Sequence, residues 1–303
     1  MRRKFMRLKL PAFLPCAAAL ALLPCATALA QTAGTAAADA ADNIYGPFNP
    51  VPDTALRALT TDRPGKSSSP VTVDAGHVQI EADLFNYSYT DADSTTTRQW
   101  SAPNVLVKYG VSRWVDVEVG ISGVNQFEYH DHKTGQIVKA DGIGDTWVGA
   151  KFNVFGDDPG DGPANQGFAV IPMVKVPTAA EGLGNHLVEA TVTLPYQYNL
   201  PDNWSVVVEN VDGLRANHTG DGYEGDYQGM INVSHPLFFD DLTAQVEYFY
   251  DHANDPVLGN QMSFDPSVQW QVTKGLALDM GDYIGLNAKT PAENPYVGIS
   301  TRF

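Results

Sequence analysis

His130-Asp131-His132 sets two imidazoles and a carboxylate side by side, a donor set that Zn²⁺ would accept. No further ligand follows at a fixed spacing, so the triplet reads as a polar loop. Asp157-Asp158-Pro159-Gly160-Asp161 and Asp221-Gly222-Tyr223-Glu224-Gly225-Asp226 carry hard oxygen donors suited to Ca²⁺. Neither has the spacing of an established calcium loop, and both read as solvated turns. Ser234 beside His235 offers a nucleophile and a base. Neighbours on a strand point to opposite faces, which forbids the hydrogen bond that would activate the serine. There is no Gly-x-Ser-x-Gly elbow and no His-x-x-x-His helix pair. The expectation is a protein without catalytic residues, metal or cofactor, with a hydrolase as the minority alternative.

The charges that do recur at regular spacing sit inside alternating runs. Val78, Ile80, Ala82 and Leu84 alternate with Gln79, Glu81 and Asp83, and Val115, Val117, Val119 and Ile121 with Asp116, Glu118, Gly120 and Ser122. Period-2 alternation of this kind is the signature of strands with one apolar and one polar face. If Val78, Val117 and Phe303 share the apolar face, parity puts a ladder of charges on the other. Its members are Glu81, Asp83, Arg98, Lys108, Asp116, Glu118, Lys151, Lys175, Glu189, Glu209, Glu247, Asp265, Asp279 and Arg302. Acids exceed bases in this set. Such a ladder can line a hydrated path or neutralise itself as packed ion pairs.

The elements that position the ladder are strands predicted at 77–89, 98–111, 114–127, 143–155, 167–178, 186–199, 203–214, 224–236, 240–252, 261–273, 275–286 and 294–303. Most are longer than the ~5–6 residues common in globular sheets and match the ~9–11 of a tilted membrane strand. Tight joins alternate with long polar ones at 90–97, 128–142, 214–225 and 251–260, as do the periplasmic turns and external loops of outer-membrane barrels. The join at 156–166 is the exception, being long on the side expected to be short. Aromatics (Tyr109, Phe127, Tyr196, Trp204, Tyr227 and Tyr250) fall near strand ends, as girdles do. The fold expected is all-β: a transmembrane antiparallel β-barrel of about twelve strands over 76–303, closed by the C-terminal strand. A soluble sandwich would show the same alternation with its faces reversed, but not strands of this length.

The N-terminus reads as an export signal over 1–30, with basic MRRKFMRLK, an apolar stretch and a small-residue site at Ala28-Leu29-Ala30. Cys16 and Cys25, the only cysteines, both lie in it, which leaves no thiol chemistry for the mature chain. Its removal takes away five basic residues and no acid, so the net charge moves from −16 to −21. That balance excludes nucleic acid as a partner. Residues 31–75 are rich in Ala, Thr, Pro, Ser and Gly without a period, and read as an extension that is flexible, packed on the domain or inserted into a lumen.

Thr61-Asp62-Arg63-Pro64, followed by Ser69-Pro70 and Gly76-His77-Val78-Gln79-Ile80-Glu81, resembles the opening of an outer-membrane family of transporters associated with the meta-pathway of phenol degradation. Gly142-Ile143-Gly144-Asp145, Val148-Gly149-Ala150-Lys151-Phe152, Lys175-Val176-Pro177-Thr178 and Gly298-Ile299-Ser300-Thr301-Arg302-Phe303 fall where that family has similar segments. Ala179-Ala180-Glu181 departs from the glycine many members have after Pro-Thr. The resemblance covers 60–303 and implies an outer-membrane barrel of a Gram-negative bacterium passing small, aromatic or apolar compounds. It also implies that Val297, Ile299 and Phe303 form the terminal signal read by the barrel assembly machinery. The expected partners are outer-membrane lipid, that machinery and a small solute. A closed barrel with a structural, adhesive or assembly role is the alternative.

Overall fold

A computed structural model describes residues 45–92, 94–156, 165–254 and 259–303. The signal expected at 1–30, the extension before Tyr45 and the acidic run 157–161 lie outside the described residues.

From Val78 onward most of the described residues are strand. In order these are β1 (Val78–Ala92), β2 (Thr95–Ala102), β3 (Asn104–Ser112), β4 (Val115–Ile121), β5 (Val124–Asp131), β6 (Ile137–Ile143), β7 (Thr146–Phe155) and β8 (Gln166–Val176). They continue with β9 (Glu189–Asn199), β10 (Ser205–Ala216), β11 (Tyr223–Leu237), β12 (Phe239–Ala253), β13 (Gln261–Thr273), β14 (Leu276–Asp282), β15 (Ile284–Gly285) and β16 (Pro295–Arg302). The segments β2 and β3, β4 and β5, β6 and β7, and β14 and β15 are each one long strand with a short break. The barrel therefore has twelve antiparallel staves. β16 pairs with β14 on one side and with β1 on the other, Gln79 opposite Arg302 and Asn86 opposite Tyr296, and this closes the sheet without an open edge.

Burial is inverted relative to a soluble protein. The largest fully buried side chains include Lys108, Lys151, Gln79, Glu81, Glu247, Asp116 and Asp265, whereas Val117, Phe152, Val174, Val208, Val246, Phe264 and Val297 stand exposed on the outer wall. An apolar exterior round a polar interior satisfies the backbone by ladder hydrogen bonds and presents only hydrocarbon to lipid. No described helix is long and apolar enough to cross a membrane; the crossing is by strands.

Two of the expected long loops are corrected. Residues 90–92 and 95–97 are paired strand, with Ala92 opposite Thr95, because β1 and β2 continue pairing beyond the expected ends. Most of 128–142 is likewise strand, with Glu128 opposite Lys139 and His130 opposite Ile137. Four staves therefore project past the rest on the side of the long loops, which by the barrel rule is the outside of the cell.

A crease runs across three of these staves. Pro103 interrupts the second, having no N–H for the ladder. Ser122-Gly123 and Gly144-Asp145 interrupt the next two at the same level, tied by Ser122 N–H donating to the Asp145 carbonyl at 3.2 Å and Gly144 N–H to the Ser122 carbonyl at 3.0 Å. Gly123 packs against the Pro103 carbonyl so closely that a Cβ would overlap it. β1 answers with a register shift between Asp83 and Phe85.

Candidate functional site: the lumen and its plug

The extension before β1 enters the barrel. Residues 57–75 rise from the mouth at the strand ends, turn across the middle of the lumen at 62–68 and descend again. Thr-Asp-Arg-Pro-Gly-Lys-Ser-Ser-Ser-Pro suits this path, since Pro, Gly and Ser favour an irregular chain whose N–H groups face outward. A buried irregular segment must find partners for those groups, and the wall supplies them.

Asp62 sits between two lysines, with Oδ2 2.5 Å from Lys108 Nζ and Oδ1 2.8 Å from Lys151 Nζ. Lys108 is also 2.5 Å from Glu81. Arg63 forks between Asp279, at 2.7 Å, and Asp83. Lys66 Nζ reaches Asp265 at 2.5 Å and lies 3.6 Å from the Tyr283 ring centroid. The remaining acids accept backbone N–H donors from the plug. Glu247 takes Lys66 at 2.8 Å and Ser67 at 2.9 Å, Glu209 takes Ser68 at 2.7 Å, Asp116 takes Val73 at 2.9 Å and Glu81 takes Asp62 at 2.9 Å. The surplus of acids over bases on the wall thus has a structural counterpart: the missing positive partners are plug amides and plug side chains.

Both limbs of the plug are clasped at the mouth. Asp74 accepts from Arg57 Nε at 2.7 Å and from Arg302 Nη1 at 2.8 Å, while Arg302 Nη2 donates to the Arg57 carbonyl at 2.7 Å. Tyr109 Oη donates to the Pro47 carbonyl at 3.1 Å, holding the chain just before the clasp against the rim.

Of the ladder expected from parity, Glu81, Asp83, Lys108, Asp116, Glu118, Lys151, Glu209, Glu247, Asp265, Asp279 and Arg302 lie on the lumen side, most of them against the plug. Lys175 and Glu189 pair with each other at 2.8 Å in the outer half, with Asp145 3.5 Å from the lysine. Arg98 is a correction. In β3 the even-numbered Asn104 and Lys108 face in, but in β2 the odd-numbered Gln99 and Ser101 do. The break at Pro103 shifts the alternation by one, so Arg98 points outward, half exposed, 3.5 Å from Glu128. The break at Ser122-Gly123 likewise turns Phe127 to the side of Asn125, off the apolar face expected for a girdle residue.

Ser234 follows the inward Asn232, while His235 points outward, tilted against the Trp204 ring at 4.4 Å between centroids, and binds the Asp202 carbonyl. The rings of His130 and His132 lie tilted to one another with centroids 4.2 Å apart, and His132 Nε2 meets Thr96 Oγ1 at 2.7 Å. No cluster of three or more His, Cys, Asp or Glu fit to hold a metal occurs among the described residues. In the acidic run Asp221–Asp226, Glu224 and Asp226 pair with Arg215 at 2.9 and 3.4 Å. Hydrogen bonds from Thr219 and then Asn217 hold the Asp221 carboxyl below the usual range, as in a self-bonded turn.

A cavity of about 500 Å³ opens above the plug tip, against the first four staves. Its floor is Asp62 and Arg63, and its sides carry Asn86, Gln99, Asn104, Asn125 and Asn294 with Leu106 and Trp147. Sequence reasoning missed this site, because the amides carry no charge to mark them and the crease that gathers them depends on pairing between distant strands.

A closed antiparallel barrel, apolar outside and filled by a polar plug, is an outer-membrane β-barrel. The chain belongs to the family described as "Putative MetA-pathway of phenol degradation", whose match spans residues 61–303 and so includes the plug tip as well as the barrel. An outer membrane channel from Pseudomonas putida F1 has the same fold, with a TM-score of 0.55 at 13% identity over 80% of this chain and 99% of that one. The translocator domain of the autotransporter NalP from Neisseria meningitidis aligns at a TM-score of 0.44 and 12% identity, over 75% of this chain and 88% of its own. No curated protein matches the sequence.

Proposed function

We propose that this protein is a passive outer-membrane channel for small solutes, narrowed by its own plug. The observation that carries the reading is the open cavity of about 500 Å³ between the wall and the plug tip. A barrel that served only as a scaffold would have no use for polar space beyond a filled cross-section. Acids outnumber bases on the wall, which favours cations and neutral solutes over anions. The family's association adds small aromatic or apolar compounds to the solutes the channel would pass. The chain reaches the membrane by a cleaved signal over 1–30, and Val297, Ile299 and Phe303 form the strand that the assembly machinery reads.

The test is flux through proteoliposomes. Swelling with sugars, amino acids and small phenols, together with single-channel recording, is expected to show solute entry with weak cation preference. Anion selectivity would remove the charge argument, and a folded barrel with no flux of any solute would overturn the channel reading. That second outcome is what a closed barrel predicts, a reading favoured by the plug's bonds to opposite sides of the lumen.

A further inference from the structure

The cavity above the plug has a donor and acceptor pattern that defines a class of ligand. We propose that it binds a neutral ring bearing several hydroxyl groups round one apolar face, a cyclic polyol or a sugar of one or two rings; the proposal rests on the lumen being reached by solutes.

Backbone carbonyls fix the orientation of the amides. Asn125 Nδ2 donates to the Gly123 carbonyl at 2.8 Å, which turns its Oδ1 to receive Gln99 Nε2 at 3.2 Å. Asn294 Nδ2 donates to the Tyr87 carbonyl at 2.9 Å and to Asn86 Oδ1 at 2.8 Å. Asn104 Nδ2 is held by Ser101 Oγ at 2.7 Å. Asn104, Asn125 and Asn294 thus spend both N–H groups on the protein, Gln99 keeps one, and the carbonyl oxygens of Gln99 and Asn294 are left for the cavity. Ser88 adds a hydroxyl on the same side. The lining is therefore richer in acceptors than in donors, and it suits a solute that donates from many positions.

Formal charge at the floor is cancelled within the protein. Arg63 is shared by Asp83 and Asp279, and Asp62 by Lys108 and Lys151. An ionic ligand would have to compete with these pairs, whereas a neutral one would not. Beside the amides, on neighbouring staves of the same wall, lie Leu106 and Trp147, in register through Gly120. Gly120 has no side chain, so a shallow apolar shelf forms beside the indole. A sugar ring has the matching form: one face of C–H groups for an aromatic shelf and a rim of hydroxyls. The volume is within the range of ordinary small-ligand sites, ~300–1,000 Å³.

The experiment measures binding to the detergent-solubilised barrel, by calorimetry and by indole fluorescence, with glucose, maltose, inositol, phenol and benzoate as probes. The expected result is saturable binding of the polyhydroxylated probes, with phenol at least tenfold weaker and benzoate not bound. Gln99→Leu and Ser88→Ala should each weaken binding about tenfold, and Trp147→Phe should retain binding that Trp147→Ala loses. All variants are first required to show heat-modifiable migration, which separates loss of the site from loss of the barrel. Equal or tighter binding of phenol, or no binding of any probe by the folded wild type, would overturn the proposal. Flux without saturable binding sinks the site and leaves the channel; binding without flux does the reverse.

Discussion

Asp62 and Lys151, 89 positions apart, are joined by two contacts of 2.8 and 2.9 Å at the centre of the barrel. Lys151 is fully buried and the same carboxylate serves Lys108. Replacing Asp62 with Asn keeps the shape and removes the charge from between two buried ammonium groups. Breaking one partner of a buried pair commonly costs ~3–5 kcal/mol. The expected outcome is a plug that leaves its seat, seen as larger and noisier single-channel currents, with a lower temperature for loss of the folded gel band. Wild-type conductance in Asp62→Asn would mean that the plug is not held by this contact.

Gly298 is the notch that receives Arg63. A Cβ there would overlap the guanidinium, so Gly298→Val should displace Arg63 from Asp83 and Asp279 while β16 keeps its pairing. Conductance should rise as in the Asp62 variant. Unaltered current with normal assembly would show that Arg63 has another berth.

Arg63→Gln tests charge rather than space. It leaves Asp83, on the cavity wall, and the buried Asp279 without their cation, and the reversal potential in a salt gradient should move toward cation preference. A move toward anions would contradict the account of wall acids as plug acceptors.

Deleting Phe303 should impair insertion and leave secretion intact. Its carbonyl accepts Val78 N–H at 3.1 Å and His77 Nδ1 lies 2.9 Å away, while its own N–H donates to the Val78 carbonyl at 2.9 Å. The measurement is the fraction of protein in the membrane with heat-modifiable migration. Normal assembly without the residue would refute a role for the terminal aromatic.

The staves were legible because a strand that faces lipid on one side and polar groups on the other must alternate, and β13 spans the predicted 261–273. What alternation could not reveal were its own phase shifts. Pro103 and Ser122-Gly123 each move the parity by one, and extrapolation from Lys108 across Pro103 placed Arg98 on the wrong face. The short motifs behind the family resemblance were visible, but their purpose was not. Thr61-Asp62-Arg63-Pro64 meets Lys151 of the Val-Gly-Ala-Lys-Phe segment and Gly298 of the terminal segment. Asp145 of Gly-Ile-Gly-Asp accepts N–H groups of Thr178 and Ala179, both at 3.0 Å, next to Lys-Val-Pro-Thr. These are contacts between residues tens to hundreds of positions apart, and no local pattern encodes them.

The Asp74–Arg302 clasp spans 228 positions and belongs to the strand that seals the sheet. A chain lacking β16 loses the seal, the notch at Gly298 and the clasp together. Contacts so distant in sequence are late to form, so the clasp and the closing of the wall both wait for this strand. The strand that seals the wall thereby also latches the stopper, through the clasp at Asp74 and the notch at Gly298.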